Sequence, residues 1–520
     1  MAFGYVKPQR DQQFLLPVSM ADWLNEGHLA WFVIDVVGEL DTSALHARHP
    51  NDGVGRPAYD PDMMVALLLY AYSTGTRSSR RIEACCRTDA AYRVISGGLI
   101  PDHSTICRFV VDHERAMEGL FVSGLRLCAA AGLVDLSVLA LDGTKIGSDA
   151  ALDANRDAAW ILDRVEELLA ATVASEAAEA DPAQISLLRL DGAGGVASPR
   201  GRLAHLLAAK AMIEAEDAAA AAVVTAKAQA ARREAAAGRK VRGRKPKDHA
   251  AALARAESDH AAALARAEAK AARRAAKVAA AEARGVKLGG FGPGPDRNLE
   301  KAEAALVAAR AAAEATPPAK RTVNITDPES RIMKTAQGWV QGFNAQAIVT
   351  KDHIVVATFV SQNANDVELF VPMLVRLAVA LAAAGIADPI GKILADAGYW
   401  SEDNATADGP DRLIATLKDY KQRRAARDAG TTTGEPPEGA TVLEAMEHRL
   451  RTAEGAAAYA QRSHTVEPVF GDHKENRGCR RFRRRGLMAA SSEWALMNLT
   501  GNLTKLSEHR RRQPAPLGLS

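Results

Sequence analysis

Aromatic side chains are scarce: Phe, Trp and Tyr make up 5% of 520 residues. Alanine takes much of their place, which raises helix propensity and leaves few large anchors for a core. Cysteine is scarce too, with five residues, an odd count and no CxxC pair. That excludes a disulfide scaffold and a thiolate zinc site of ordinary spacing, and points to reduced thiols in a cytosol. The N-terminal stretch MAFGYVKPQRDQQ lacks the apolar run of a secretory signal. The most apolar long segment, LFVPMLVRLAVALAAAGIA, is broken by Pro372 and Arg376. It reads as a buried or amphipathic helix rather than a membrane span, so no membrane partner is expected. The net charge of +3 is too small to name a partner. The remaining balance, 48% hydrophobic and 25% charged, is that of an ordinary folded chain, long enough for roughly two to four domains.

The distribution of charge says more than its sum. RKVRGRKPK (239–247), which holds Arg242 and Arg244, and RGCRRFRRR (477–485), which holds Arg480, Arg481, Arg483 and Arg484, are strongly basic, and HRRR follows near the end. Clustered Arg and Lys suit a phosphate backbone. Any one cluster taken alone is ordinary solvated surface. Several of them in a chain that also carries acidic islands weaken that reading.

Residues 59–120 read as helices. YDPDMMVALLLYAY opens with Asp60 and Pro61 as cap and first-turn residues. RSSRRIEACCRTDAAYRVI is a second amphipathic helix, GGLIPD a turn, and HSTICRFVVDHERAM a third helix with Asp102 as N-cap. Helix, Gly-containing turn, helix fits a DNA-binding helix-turn-helix and a plain helical bundle equally well. From about 156 to 320 the chain turns Ala-rich and charge-laced. DHAAALARAE occurs there twice, at 248–257 and 259–268. Its 11-residue spacing implies about 3.67 residues per turn and a slight right-handed drift, in a helical hairpin or coiled coil. RGRKPK lies in a helix-breaking gap and is similar to a minor-groove arm, with a solvated loop as the plainer reading. Beyond the linkers GGFGPGPDR and ATPPAKR, GWVQGFNAQAIVT and HIVVATFVSQ read as a hairpin turning at Lys351 and Asp352. A helix ending at Gly385 follows, then the strands KILADAGY and RLIATLKD. The whole is a mixed α/β sheet interrupted by a helical insertion.

Three acidic islands stand out: LALDGTKIG around Asp142, KILADAGYW around Asp396, and HTVEPVFGDHKEN around Glu467. In the first two, an Asp ends a short apolar run and a small-residue turn follows, which delivers a carboxylate to the rim of a sheet. Glu467 precedes Pro468 and is therefore placed at a helix start. Singly, each has a structural reading: a hairpin turn, a helix cap, a helix-dipole partner. Jointly, three carboxylates from distant parts of a chain suit a pair of hard divalent cations acting on a phosphodiester. Glu467 and Lys474 are two helical turns apart and are expected on one face, where the lysine is placed to hold a phosphate.

With these motifs in view, the chain resembles bacterial insertion-sequence transposases of the DDE type, in the subgroup with a Tyr-Arg-Glu-Lys signature. Tyr459, Arg462, Glu467 and Lys474 match it. Four residues separate Arg462 from Glu467, where the family pattern has three. YDPDMMVALLLYAYSTGTRSSRRIEACCRTDAAYRVISGGLIPDHSTICRF, NITDPESRIMK, QGFNAQAIV and ADAGYWS also look like segments of these enzymes. The resemblance implies an RNase H-like mixed sheet with helices, interrupted by a long helical insertion and preceded by an all-helical N-terminal domain. The divisions expected are 1–135 helical and DNA-binding, 136–155 first catalytic strand, 156–320 insertion, 321–476 remainder of the catalytic domain, and 477–520 basic C-terminal helix and tail. Asp142, Asp396 and Glu467 would bind two Mg²⁺ ions, with Mn²⁺ as a possible substitute. Water would cleave the element ends, and the freed 3′-hydroxyl would attack target DNA. Tyr459, Arg462, Lys474 and the basic clusters would hold double-stranded DNA. A homodimer on DNA and a cytoplasmic, nucleoid-associated location follow from the same resemblance. Two other readings stand beside it. A catalytically silent, transposase-derived DNA-binding protein is disfavoured by three intact carboxylates. A structural helical protein leaves the strand-borne Asp pair unexplained.

Overall fold

The computed structural model describes residues 19–47, 58–178, 199–236, 249–285, 296–314, 322–417 and 430–512. Two compact units are present: residues 1–154 with 326–520, and residues 155–325. The strands in chain order are β1 (Val138–Gly147), β2 (Asn155–Asp157), β3 (Thr322–Asn324), β4 (Arg331–Thr335), β5 (Gly338–Thr350), β6 (Val355–Ser361), β7 (Lys392–Ala395) and β8 (Asp411–Ile414).

In the first unit six strands form one mixed sheet, ordered β4-β5-β1-β7-β8, with β6 also on β5. The β4, β5, β6 and β1 pairings are antiparallel. β7 runs parallel to β1 and to β8. The apolar runs LAL in β1 and ILA in β7 are wholly buried because both faces of the sheet are covered. Helix Ala453–Gly471 packs on β1, while helices Phe370–Ala384 and Leu487–Arg512 pack on β6. Trp494 fixes the last of these, donating its indole N–H to the Gln346 carbonyl of β5 at 2.9 Å. The N-terminal helices, Leu29–Glu39 through Glu114–Ala130, share a single core with this sheet. Helix Val367–Ala384 is apolar and long enough to cross a membrane, but Phe370, Met373, Leu377 and Leu381 are buried in that core.

HSTICRFVVDHERAM is not one helix: it divides at His113 into His103–Asp112 and the start of Glu114–Ala130. Two further readings change. RSSRRIEACCRTDAAYRVI is not one helix but two, Ser79–Thr88 and Ala90–Ile95. They divide at Asp89, whose carboxylate accepts the Ala91 N–H at 2.8 Å. Asp competes with helical hydrogen bonding in an interior and satisfies free N–H groups at a start, so it divides the run. The strand β4 is not legible in the sequence. Its RIMKT is too short and too polar to register as a strand, and only pairing with the start of β5 makes it one.

In the second unit, helices Ala158–Ala178 and Pro199–Ala236 enclose Ile161, Val165, Leu206, Ala209 and Ile213, with Val323 of β3. Helices His249–Glu282 and Arg297–Glu314 pack on each other. Leu253, Ala256, His260, Ala263, Ala267 and Ala281 are the half-buried positions described on the first, and Leu299, Ala302, Leu306 and Ala309 on the second. This alternation of three and four is a 3.5-residue seam, so the 11-residue repeat does not set the packing period. Arg310–Glu257 at 3.7 Å, His260–Glu303 at 3.9 Å and Lys270–Asp296 at 3.3 Å follow the antiparallel register of the pair.

Candidate active site

The parallel register of β1 and β7 builds the site. Leu141 lies opposite Ala395, so the next residues of the two chains, Asp142 and Asp396, come side by side. Asp142 does not end its strand, as the sequence suggests. β1 leaves β7 there but keeps β5 to Gly147, where the Arg480–Phe482 segment joins it. The Phe482 N–H donates to the Gly147 carbonyl at 2.7 Å, and the Gly147 N–H to the Arg480 carbonyl at 3.1 Å. Gly143 is accordingly no turn residue. It is an in-strand glycine kept bare by the Gln346 amide, which stands 2.0 Å from where its Cβ would be. Asp396 does begin a turn, accepting the Gly398 N–H at 2.8 Å on its carboxylate.

The Asp142 side chain is 20% exposed and accepts from Arg462 at 2.8 Å. Burial pushes its carboxyl up to about 6; Arg462 pulls the other way, while Asp396 adds to the rise. Arg462 also lies 4.0 Å from Glu467, whose side chain is 64% exposed, and its charge acts on the neighbouring Tyr459 hydroxyl. Asp396, Gly398, Tyr459 and Arg462 line a cavity of about 360 Å³.

Glu467 is not at a helix start. Helix Ala453–Gly471 begins fourteen residues earlier, capped by Thr452, and Pro468 lies inside it. Pro468 has no N–H for the His464 carbonyl. That carbonyl instead accepts from His353 Nε2 at 2.9 Å, so a proline can sit mid-helix here. A π-turn, Asp472–Asn476, follows directly and carries Lys474. Burial lowers the Lys474 ammonium and Arg480 adds to this, whereas the Asp142 charge raises it, which sets Lys474 within the field of the site. The neighbouring acids are engaged elsewhere: Asp472 with Arg477 at 2.9 Å and Glu475 with Arg480.

The basic stretch 477–485 is largely built into the fold. Arg481 donates to the Ser148 and Ala150 carbonyls at 2.7 and 3.1 Å, Arg484 pairs with Glu114, and Arg485 pairs with Asp149 at 3.2 Å. Arg480 and Arg483 are exposed. Arg242 and Arg244 lie outside the described residues.

Sequence reasoning passed over a further carboxylate. Asp366 Oδ1 accepts from Lys145 at 3.0 Å, Asn344 at 2.7 Å and Gln346 at 3.0 Å. The buried Tyr399 hydroxyl donates to the same Gln346. Burial raises the Tyr399 phenol well above its usual range, and the charges of Asp366, Asp142 and Asp396 add to the rise. A signal was present: Asn344 and Gln346 are polar residues inside an otherwise apolar buried run, and buried polar groups require partners.

The donor set suits hard divalent cations: carboxylate oxygens, half-buried at Asp142 and Asp396 and exposed at Glu467, with more negative charge than Arg462 alone balances. Asp142, Asp396 and Glu467 do not bring three oxygens within 4.8 Å of one another. Replacing Arg462 by Gln is expected to raise the Asp142 pKa further in metal-free protein, because the cation that lowers it is lost. Carboxyl NMR titration of labelled Asp checks this; an unchanged or lower value would remove Arg462 from the electrostatics of the site.

No curated protein sequence and no solved structure matches the chain. Residues 18–112 match the transposase domain family DUF772, and residues 421–507 match a transposase DDE domain family. The second span holds Tyr459, Arg462, Glu467 and Lys474, while Asp142 and Asp396 lie outside both. Together the two matches support an insertion-sequence DDE transposase.

Proposed function

We propose that the protein is a DNA transposase of the Tyr-Arg-Glu-Lys subgroup, with an RNase H-like sheet that carries Asp142 and Asp396 and a following helix that carries Glu467. The observation that supports it most is the β1–β7 register, which sets two carboxylates 254 positions apart beside each other, with Arg462 between Asp142 and Glu467. Asp142, Asp396 and Glu467 would hold two Mg²⁺ ions, for which Mn²⁺ would substitute. Bound there, the ions supply an activated water and charge stabilisation on the phosphodiester. The chain's own residues do the rest. Arg462 balances Asp142 in the metal-free protein and, once a cation takes over that role, is left to meet phosphate, to which its planar fork is matched. Lys474 supplies a second positive charge, and Tyr459 fixes the Arg462 side chain. Hydrolysis frees a 3′-hydroxyl at the element end, and that hydroxyl attacks target DNA.

Arg80, Arg81, Arg87 and Arg108 of the N-terminal helices are exposed and would meet element ends, in a homodimer assembled on DNA in the cytoplasm at the nucleoid. The test is purified protein with Mg²⁺ and DNA carrying the flanking ends of its own gene, read for end cleavage and joining. Tight binding with no cleavage would favour the silent DNA-binding reading instead. Replacing the exposed Arg480 and Arg483 by Ala is expected to weaken binding to cognate and random DNA alike. The log–log salt slope should flatten by about 0.9 for each phosphate that is no longer neutralised. Salt titrations on both DNAs check this, and a weakening confined to cognate DNA would assign these residues to base reading.

A further inference from the structure

We propose that Asp366 is a fourth carboxylate of the metal site, held ready by Lys145, Asn344 and Gln346 to serve the ion on the Asp396 side. This rests on the metal site proposed above and adds a residue to it.

The two oxygens of Asp366 stand in different situations. Oδ1 is saturated by three donors, Lys145 Nζ, Asn344 Nδ2 and Gln346 Nε2, all within 3.0 Å. Oδ2 has no hydrogen-bond partner among the described residues. It lies 3.4 Å from where a Gly398 Cβ would be, and Asp396 Oδ1 lies 2.9 Å from that same point. The two carboxylates thus face each other across a bare glycine. A larger residue there would part them.

Three donors on one oxygen fix the plane of a carboxylate and leave its other oxygen oriented, as second-shell donors do for metal ligands. The donors are themselves held. Asn344 and Gln346 are fully buried on β5, and Gln346 is locked by Tyr399 and Asn344. Lys145 follows Asp142 on the same strand, and its side chain is 16% exposed. Its charge offsets that of Asp366 in the metal-free protein. An arriving divalent ion would meet Asp366 Oδ2 directly or through one water. Lys145 then limits how strongly Asp366 contributes.

This arrangement demands effects of opposite sign. Asp366→Asn keeps size and hydrogen bonding and removes charge, so Mn²⁺ affinity is expected to fall by about 10- to 100-fold. Lys145→Met removes the offsetting cation, so affinity is expected to rise roughly three- to tenfold. Mn²⁺ binding to the full chain without DNA, followed by electron paramagnetic resonance and calorimetry, reads both, with Asp142→Asn and Asp396→Asn as references. Weaker binding in Asp366→Asn with tighter binding in Lys145→Met supports the assignment. Weaker binding in both means that the network is only structural and overturns it. Unchanged affinity in Asp366→Asn, with binding lost in Asp142→Asn, overturns it while leaving the metal site standing. Wild-type affinity in both reference variants overturns the metal site and this inference together.

Discussion

Asp142→Asn is expected to lower end cleavage by about 10³-fold or more while the protein stays folded. A metal ligand contributes several kcal/mol to the barrier, and each 1.4 kcal/mol or so is tenfold in rate. The folded state should tolerate the change, because ionised Asp142 is itself a burden. Its carboxyl sits at about 6, against an ordinary value of 3.8, chiefly through burial. Each pH unit of that rise is about 1.4 kcal/mol, so the charged form costs on the order of 3 kcal/mol at neutral pH. The sign follows from proton binding. The folded state holds this proton more tightly than the unfolded state does. The associated stability is therefore present at low pH and is lost as pH rises from the ordinary carboxylate range through about 6. Asp327, also raised to about 6 by burial, adds in the same direction. A divalent cation replaces the proton, and at a hundredfold excess over its Kd adds about 2.7 kcal/mol. Mg²⁺ should accordingly raise the thermal midpoint at pH 7.5 and hardly at all at pH 5. Asp142→Asn should abolish that gain together with cleavage. A variant that keeps both would remove Asp142 from the site.

Arg77→Met is expected to destabilise the first unit by about 3–5 kcal/mol, the cost of leaving a buried charge without its partner. Arg77 and Glu493 are 2.6 Å apart, with side chains 2% and 1% exposed. Arg77 also donates to the Arg481 carbonyl at 3.0 Å and to the Gly478 carbonyl, while Glu493 accepts the Arg483 N–H at 2.9 Å. One ion pair thus holds the loop after helix Pro61–Ser73, the 478–483 turn and the Leu487–Arg512 helix together. Replacing both residues, Arg77→Met with Glu493→Leu, should recover much of the loss, because no charge is then left stranded. Urea unfolding followed by Trp fluorescence, with the second unit's helical signal tracked separately, distinguishes the cases. A single-variant cost below about 1 kcal/mol would mean that the pair holds nothing.

The legible parts of this chain are those fixed by short-range pattern. The β5–β6 hairpin turning at Lys351, the helix stopped by Gly385 in a left-handed conformation, and the Asp102 cap all follow from neighbours in sequence. So does the apolar run that leads to Asp396. What escaped depends on partners far away. Pro468 marks a helix start only if no other group serves the His464 carbonyl, and His353 does so from 111 positions upstream. The Arg-rich run looks like a phosphate surface because Glu114, Asp149 and Glu493 cannot be seen beside it in sequence. Asp366 looks like a loop residue, since its meaning lies in Asn344, Gln346 and Lys145. The DGT after β1's apolar run reads as a turn, and only β5 and the Arg480–Phe482 segment keep it extended.

The small β2–β3 ladder bears on how the chain folds. Asn155 pairs with Asn324, joining positions about 170 residues apart. β1 leaves the ribosome long before either of its sheet neighbours, β5 and β7, has been synthesised. Until then its apolar run is an unpaired edge, the kind of segment that aggregates. If residues 155–325 fold as they emerge, the ladder ties off the intervening chain, and the search that brings β1 to β5 shrinks to that of a short loop. Closure entropy grows as about 1.5RT ln n, so the saving is a few kcal/mol and falls on the slowest kind of pairing, that between strands distant in sequence. An Ala-rich helical segment with no part in the sheet would thereby act as a timing element for the strand that carries Asp142.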